Sequence, residues 1–331
     1  MSREQVAVAE GLQALPRLLD SAKSQRILLI TGASGRHLAS LTPLLAGFDV
    51  SVFSGARQHV PEAVVEEARR ALAALGADTV IALGGGSAIG LGKALRIDES
   101  VHFIAIPTTY SGSELTNLYG ITSAGSKKTG RDSRVRPDVV IYDVALTLDM
   151  PRVLTATSLM NALAHPLGVA GSGLAPGKLR EHALGAIVIV YRALEALMRD
   201  PHDRQARADA LRGAGLAAHT LESGAVSLHH TVVHRLGGRF DLDHSGLHSV
   251  LLPHSVHRLR EQTPEVIAEI EHKLGVSALD VALYDLLMEA NAPVSLQGLG
   301  VSFEQLSELL QTDPDLPRKL VAAAFRGERP N

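Results

Sequence analysis

The chain has no cysteine and no tryptophan, and its other aromatics are five Tyr and six Phe among 331 residues. Without cysteine there is no disulfide framework, no zinc–cysteine site and no thiol nucleophile, and the chain suits a reducing cytosol. With aromatics at 3%, Ala, Leu and Val must fill the core. An excess of one charge is also lacking, since 32 Lys and Arg against 35 Asp and Glu leave a formal net charge of −3. A near-neutral chain with few aromatics has neither the field nor the stacking platforms of a general nucleic-acid binder. No uninterrupted apolar run reaches ~18 residues, so no membrane-spanning helix is expected. The opening MSREQVAVAEG lacks the pattern of a signal peptide. The expected location is cytoplasmic, with neither nucleic acid nor membrane as a partner.

What is present organises into two parts. Five short apolar runs occupy the first 150 residues: RILLIT (26–31), DVSVF (49–53), TVIAL (79–83), HFIAI (102–106) and DVVIY (138–142). Helix-like stretches near 36–45, 61–75 and 87–96 lie between the first four. Continuous β-branched runs separated by helices mean buried parallel strands and βαβ units. Residues 1–150 are therefore expected to form an α/β dinucleotide-binding domain. After Met150-Pro151 the strand signal disappears. Ala- and Leu-rich helical patterns cover roughly 156–169, 179–199, 203–236, 245–260, 264–274, 279–290 and 302–310, so residues 151–331 read as an all-helical substrate domain.

Four segments could hold an anion. Gly84-Gly85-Gly86-Ser87 follows TVIAL and opens a helix, where glycines admit a pyrophosphate and the helix end supplies N–H donors. It is not a Walker A loop: counted back from Gly92-Lys93, the pattern needs Gly at 87 and Ser or Thr at 94, where this chain has Ser87 and Ala94. Gly32-Ala33-Ser34-Gly35 resembles the opening loop of short-chain dehydrogenases. Their Tyr-x-x-x-Lys pair is missing, because neither Tyr191 nor Tyr284 has a Lys at that spacing. Ile106-Pro-Thr-Thr-Tyr-Ser-Gly-Ser-Glu114 offers hydroxyl donors from Thr108, Thr109, Ser111 and Ser113. The basic run Lys127-Lys128-Thr129-Gly130-Arg131-Asp132 is either a solvated turn or a clamp for a phosphate or dicarboxylate.

Histidine is the one abundant reactive residue. Twelve of the fifteen lie after residue 150, and eight fall between 219 and 257. His230 and His234 are spaced i,i+4 and share a helix face, as do Asn161 and His165. His244, His248 and His254 follow. Two chemistries fit: ligation of a divalent metal, or proton transfer and oxyanion stabilisation by imidazole. A carboxylate commonly completes a histidine metal site, and Asn161 carries no charge, so the metal-free reading is preferred.

Taken together, these segments resemble the iron-containing alcohol dehydrogenase superfamily, and within it the maleylacetate reductases. The likeness rests on Gly55-Ala-Arg-Gln-His-Val-Pro61, GGGSAIGLGKA (84–94), IPTTYSGSE (106–114), KKTGRD (127–132), NALAH (161–165), HHTVVHRLGGRFDLDHSGLHSVLLPH (229–254) and NAPVSLQGLG (291–300). It implies a dehydroquinate synthase-like architecture, an NAD(P)H cofactor and a homodimer. Gly84, Gly85, Gly86 and Ser87 would hold the pyrophosphate, with Thr108, Thr109, Thr116 and Lys128 as further cofactor contacts. In metal-using members the ligands correspond to Asn161, His165, His230 and His244, and His234 lies beside the nicotinamide. If a metal is bound here, iron or zinc on His165, His230 and His244 is expected.

The expected activity is NAD(P)H-dependent reduction of the activated C=C of maleylacetate, or of a related unsaturated oxo-acid, to a 3-oxoadipate-type product. His165, His230, His234, His244 and Tyr110 are the candidate catalytic residues, and Asn161 and Arg131 the candidate contacts to a dicarboxylate or oxo-acid. The sequence departs from the reductases at Pro166-Leu-Gly-Val169, where they continue Ala-Val-Glu, and at Asp243, where they carry Pro. These changes keep two alternatives open: a metal-dependent alcohol or aldehyde oxidoreductase, and a repurposed lyase, cyclase or binding protein without redox turnover.

Overall fold

Each of the five apolar runs becomes a strand. In chain order the strands are β1 (Ala7–Glu10), β2 (Arg26–Gly32), β3 (Asp49–Ala56), β4 (Thr79–Gly84), β5 (His102–Pro107), β6 (Leu118–Ser123), β7 (Ser126–Arg131) and β8 (Val139–Tyr142). The computed structural model describes residues 6–123, 126–172, 175–222 and 227–331. The chain divides into two units between Leu148 and Asp149.

In the α/β unit six strands form one parallel sheet in the order β1-β8-β5-β4-β2-β3, and β6 and β7 make a separate antiparallel hairpin. The helices are α1 (Leu15–Ala22), α2 (Leu38–Leu41), α3 (Glu62–Leu75) and α4 (Gly86–Asp98). Side chains alternate across the sheet with period two. Leu28, Ile30, Val80, Ala82, Phe103 and Ala105 meet Val64, Ala68 and Leu72 of α3 and Ala88, Leu91 and Leu95 of α4. Ile27, Leu29, Ile81, Leu83, Ile104 and Ile106 face the other way, onto Leu15 and Leu19 of α1 and onto Leu41 and Leu45. Each large apolar side chain so buried contributes ~1.5–3 kcal/mol.

This two-sided winding locates the glycine loop. The helix after β2 covers one face and the helix after β4 covers the other, although β2 and β4 are neighbours. In open α/β sheets a ligand crevice opens at the carboxyl ends of strands at such a switch point. Arg96 of α4 fixes the helix to the start of β8 by donating to both carboxylate oxygens of Asp138, at 2.7 and 3.0 Å.

Four elements of this unit, β1, α1, β6 and β7, were not expected. β1 is only four residues long, and α1 lies before the first apolar run. KKTGRD is not a turn: it is most of β7, paired from Leu118↔Arg131 to Ser123↔Ser126. Its polar sequence hides a strand whose pairing comes from its partner and not from burial.

The helical unit runs α5 (Arg152–Gly171), α6 (Gly177–Arg199), α7 (Arg204–Leu221), α8 (Leu228–Phe240), α9 (His244–Gln262), α10 (Pro264–Leu274), α11 (Leu279–Glu289), α12 (Phe303–Thr312) and α13 (Arg318–Arg326). The stretch expected as one helix over 203–236 is two, α7 and α8. Residues 223–226 between them lie outside the described residues, as do 173–174 of the Gly/Pro segment before α6. By length and composition alone α5 could cross a membrane, but most of it is buried inside the unit. Asn161, His165 and Pro166 interrupt its apolar residues, so it contains no long uninterrupted apolar run.

Candidate active site

The α/β unit presents a glycine loop between two aligned strand ends. Gly84 pairs with Pro107 in register, and its carbonyl accepts from the Thr108 N–H at 3.0 Å. Gly84 has φ 151, a backbone conformation that favours glycine. Gly85 caps α4, and no side chain bonds to the first turn of that helix. A Cβ on Gly86 would meet nothing within 4 Å, so space for a ligand lies over the helix end. Ser87, Thr108 and Thr109 are half-buried around the same loop.

A buried lysine that the sequence reading did not single out organises the next loop. Lys93 of α4 is 1% exposed, and its Nζ donates to the Ser113 carbonyl, to Thr116 O (2.9 Å) and Oγ1 (3.0 Å) and to Leu118 O (2.9 Å). Burying an ammonium is costly unless oxygen acceptors surround it, and here they do. The positive charge thereby fixes residues 113–118, including Thr116. Glu114 lies alongside, 1% exposed, and accepts from the Tyr142 hydroxyl at 2.9 Å. Burial pushes its carboxyl above the ordinary range, although those hydrogen bonds and Lys93 oppose the shift. The only sequence signal for this cage was Lys93 itself, the sole Lys on an apolar helix. Tyr110 is completely buried in the same unit. Lys128 and Arg131 are exposed on β7, and Asp132 is engaged with Arg134.

In the helical unit three helices bring six histidines together. α5 supplies Asn161 and His165, α8 supplies His229, His230 and His234, and α9 supplies His244 and His248. The His165 and His230 rings stack with centroids 4.2 Å apart. His230 and His234 lie 6.5 Å apart, His234 and His244 6.1 Å, and His244 and His248 4.6 Å. The Asp243 side chain caps α9 by accepting from the Gly246 N–H at 2.6 Å.

Hydrogen bonds set the proton positions. Ser227 Oγ caps α8 by accepting the His230 N–H at 3.4 Å and lies 2.9 Å from His230 Nδ1. With the hydroxyl donating to Nδ1 the ring proton sits on Nε2, and with the hydroxyl accepting from Nδ1–H the Nε2 is a lone pair. That Nε2 is buried with no hydrogen-bond partner, and so is Asn161 Oδ1. Native structures rarely leave such groups unmatched, and each that remains calls for a reason such as a catalytic role, a bound water or an ion. Burial, reinforced by His234, pulls His230 down to about 4. Burial also holds His165, His229 and His248 well below the ordinary histidine range, with repulsion from the neighbouring imidazoles in support. These four rings are neutral at pH 7, so they act as N–H donors or as bases and not as cations. His229 and His248 were outside the expected set. The signal was available, because His248 is i,i+4 from His244 and His229 adjoins His230.

The donor set fits a metal poorly. It holds no carboxylate, Asn161 is uncharged, and His244 Nε2 lies 3.2 Å from His248 Nε2. Among the described residues no three His, Asp or Glu side chains are arranged to hold a metal ion.

Comparison with known proteins gives a consistent result. The family model for iron-containing alcohol dehydrogenases matches residues 4–144, and the model for the C-terminal part of that family matches residues 155–313. A maleylacetate reductase of Burkholderia cepacia is 38% identical over 98% of this chain and 96% of its own length. The crystal structure of maleylacetate reductase from Agrobacterium tumefaciens superposes with a TM-score of 0.88 at 34% identity, covering 98% of this chain and 97% of that one. The enzyme of the same name from Rhizobium sp. strain MTP-10005 gives 0.86 at 34% identity, with 98% and 97% covered. The chain belongs to the iron-containing alcohol dehydrogenase family, on the branch of the maleylacetate reductases.

Proposed function

We propose that the protein is an NAD(P)H-dependent reductase of maleylacetate, or of a closely related unsaturated oxo-dicarboxylate. The observation that carries this is the buried, unpartnered Nε2 of His230 in a cluster of neutral imidazoles, protonated when Ser227 donates to Nδ1. It supplies a fixed donor for an oxyanion without a metal. The α/β unit holds the cofactor, with the pyrophosphate on Gly84–Ser87 and further contacts from Thr108, Thr109, Thr116 and Lys128. The helical unit holds the substrate, with Asn161 beside the reacting atoms. Exposed Arg131 on the β6–β7 hairpin adds positive charge that attracts a dianion at long range.

Bound NAD(P)H supplies hydride to the alkene carbon β to the ketone. Charge then develops on the ketone oxygen as an enolate. His230 Nε2–H donates to that oxygen, with His165 stacked on the ring to hold its plane. A proton adds at the neighbouring carbon. Half-buried His244 is the donor in this proposal, because Tyr110 has no exposed surface. The test is turnover of maleylacetate followed by loss of NADH or NADPH absorbance. Absence of turnover with both cofactors would remove the substrate assignment.

The cofactor loop is tested separately. Gly86→Val adds bulk where a Cβ meets nothing, so the thermal midpoint should move by no more than ~1 kcal/mol of stability allows. NADPH and NADH binding, read by nicotinamide fluorescence, should weaken by about tenfold or more, roughly 1.4 kcal/mol. Undiminished binding would place the pyrophosphate elsewhere.

One observation favours a second reading, a metal-dependent alcohol or aldehyde oxidoreductase. The unpartnered His230 Nε2 and Asn161 Oδ1 are both lone-pair carriers when the ring takes its other tautomer. Elemental analysis of protein purified without chelator decides between the two: stoichiometric iron or zinc, lost in His230→Ala, supports the metal enzyme.

A further inference from the structure

Two glycine-containing segments, Gly32–Gly35 and Gly55–Pro61, have no part in the proposed chemistry. Both lie at carboxyl ends of strands beside the glycine loop. β2 is the neighbour of β4, β3 is the neighbour of β2, and Gly32 pairs in register with Ala56. The two strand ends therefore form one platform on the β2 side of the crevice, while Thr108 follows β5 on the other side. On that platform the formal charge is of one sign. Residues 31–37 (TGASGRH) and 54–61 (SGARQHVP) contain Arg36 and Arg57 and no Asp or Glu. Both arginines are exposed, and neither side chain forms an ion pair or hydrogen bond among the described residues. The first acid downstream, Glu62, accepts from the Ser123 hydroxyl. A Cβ on Gly32 would meet nothing within 4 Å, so the space over this strand end is open. Both loops are held in place. The Gly35 N–H donates to the Gly32 carbonyl at 3.0 Å, and the Arg36 N–H to Ser34 Oγ at 3.4 Å. After β3, Thr122 donates from Oγ1 to the His59 carbonyl at 2.8 Å and from its N–H to the Val60 carbonyl at 3.0 Å. Those bonds offset the backbone strain of His59 and Val60, at φ 62 and 47.

We propose that Arg36 and Arg57 bind the 2′-phosphate of an adenosine ribose, so that the protein selects NADPH over NADH. The proposal rests on the reductase reading and its placement of the pyrophosphate on Gly84–Ser87. A dinucleotide crossing the crevice from there lays one nucleoside toward β5 and the other toward β2. Hydride transfer needs a site shut off from water, and the β2 side is open to it, so that side takes the adenosine half. In doubly wound sheets of this kind a carboxylate in this place accepts from the ribose 2′-hydroxyl of NAD, and an arginine receives the 2′-phosphate of NADP. Here the carboxylate is missing from both loops and a guanidinium is present on both. Arginine offers a planar fork of donors matched to phosphate oxygens, and each contact to the dianion is charge-assisted. With NADH the same two cations meet only a neutral hydroxyl, so the gain belongs to NADPH alone.

The test titrates the full-length protein with NADPH and with NADH, read by nicotinamide fluorescence, and needs no substrate. NADPH should bind about tenfold or more tightly than NADH, the scale of one charge-assisted hydrogen bond. Arg36→Ala and Arg57→Ala should each weaken NADPH by about tenfold and leave NADH unchanged. Arg36→Glu, which places a carboxylate on the platform, should bring NADH ahead. Adenosine 2′,5′-bisphosphate, which has no nicotinamide, should displace NADPH from the wild type and do so poorly in Arg36→Ala. Equal affinity of the wild type for the two cofactors overturns the proposal. So does a loss that falls on NADPH and NADH alike, which would make the arginines supports of the loops, and so does undiminished NADPH affinity in both alanine variants. Failure of the reductase reading shows separately. If maleylacetate is left unreduced, the substrate assignment falls and the titration still decides the cofactor preference; if neither cofactor binds, both fall.

Discussion

Replacing His230 by Phe is expected to lower kcat for maleylacetate by about 10²–10³-fold, the range for loss of one oxyanion donor. Phe keeps a flat ring stacked on His165, 4.2 Å away in the native arrangement, so the packing of α5 on α8 survives. What is lost is the single N–H at Nε2. That N–H has no partner in the protein and is held in place by Ser227 on the opposite ring nitrogen. Its donor atom therefore need not be stripped of a protein hydrogen bond when charge appears on the ketone oxygen. Nicotinamide binding should be unchanged, since the ring belongs to the helical unit. Ser227→Ala should cost less, because it loosens the tautomer without removing the donor. Steady-state kinetics with direct cofactor titration separates these effects. A His230→Phe variant with wild-type kcat would remove this ring from the chemistry.

The histidine cluster also makes the protein sensitive to acid. His230 and His254 are pulled down to about 4 by burial, while the unfolded chain titrates near 6.5. Between pH ~6.5 and ~4 the unfolded state binds a proton at each site and the folded state does not. Stability therefore falls as pH falls through that window, by about 1.4 kcal/mol per pH unit for each histidine. Over the window each of the two costs ~3 kcal/mol, and His165, His229 and His248 add in the same direction. Against a total stability of ~5–15 kcal/mol, the loss is decisive. The thermal midpoint should drop steeply from pH 6.5 toward 4, and His254→Asn should flatten the curve.

Asp138 acts elsewhere on the pH scale. Burial pushes its carboxyl up, but hydrogen bonds from His102, Arg96 and the Phe103 N–H outweigh burial and hold it well below the carboxylate range. Its contribution is present above pH ~4 and lost only on further acidification. A midpoint that stays level from pH 7 to 5 would contradict neutral burial of the histidines.

The sequence made the sheet and the glycine loop easy to read, because buried parallel strands are continuous apolar runs and Gly84–Ser87 breaks one of them sharply. β1 and the β6–β7 hairpin left no such trace. Val8 at the sheet edge is 53% exposed, and the pairing of SKKTGR depends on a partner strand eight residues earlier and not on burial. The histidine positions were legible as i,i+4 pairs, but their hydrogen-bond order was not. That order depends on which ring faces which across α5, α8 and α9, and spacing within one helix carries no information about it. The same limit hid Lys93: its acceptors are mostly backbone carbonyls of a loop twenty or more residues away.

The central claim is hydride addition to the carbon β to the ketone, with the proton drawn separately from the protein side. It is tested most directly by turning over maleylacetate with nicotinamide deuterated at C4 in ordinary water and locating the label by NMR. The account predicts one deuterium at the product carbon that lay β to the ketone, and hydrogen from solvent at its neighbour. Deuterium on the former ketone carbon, giving an alcohol, would contradict it and return the protein to alcohol–carbonyl chemistry.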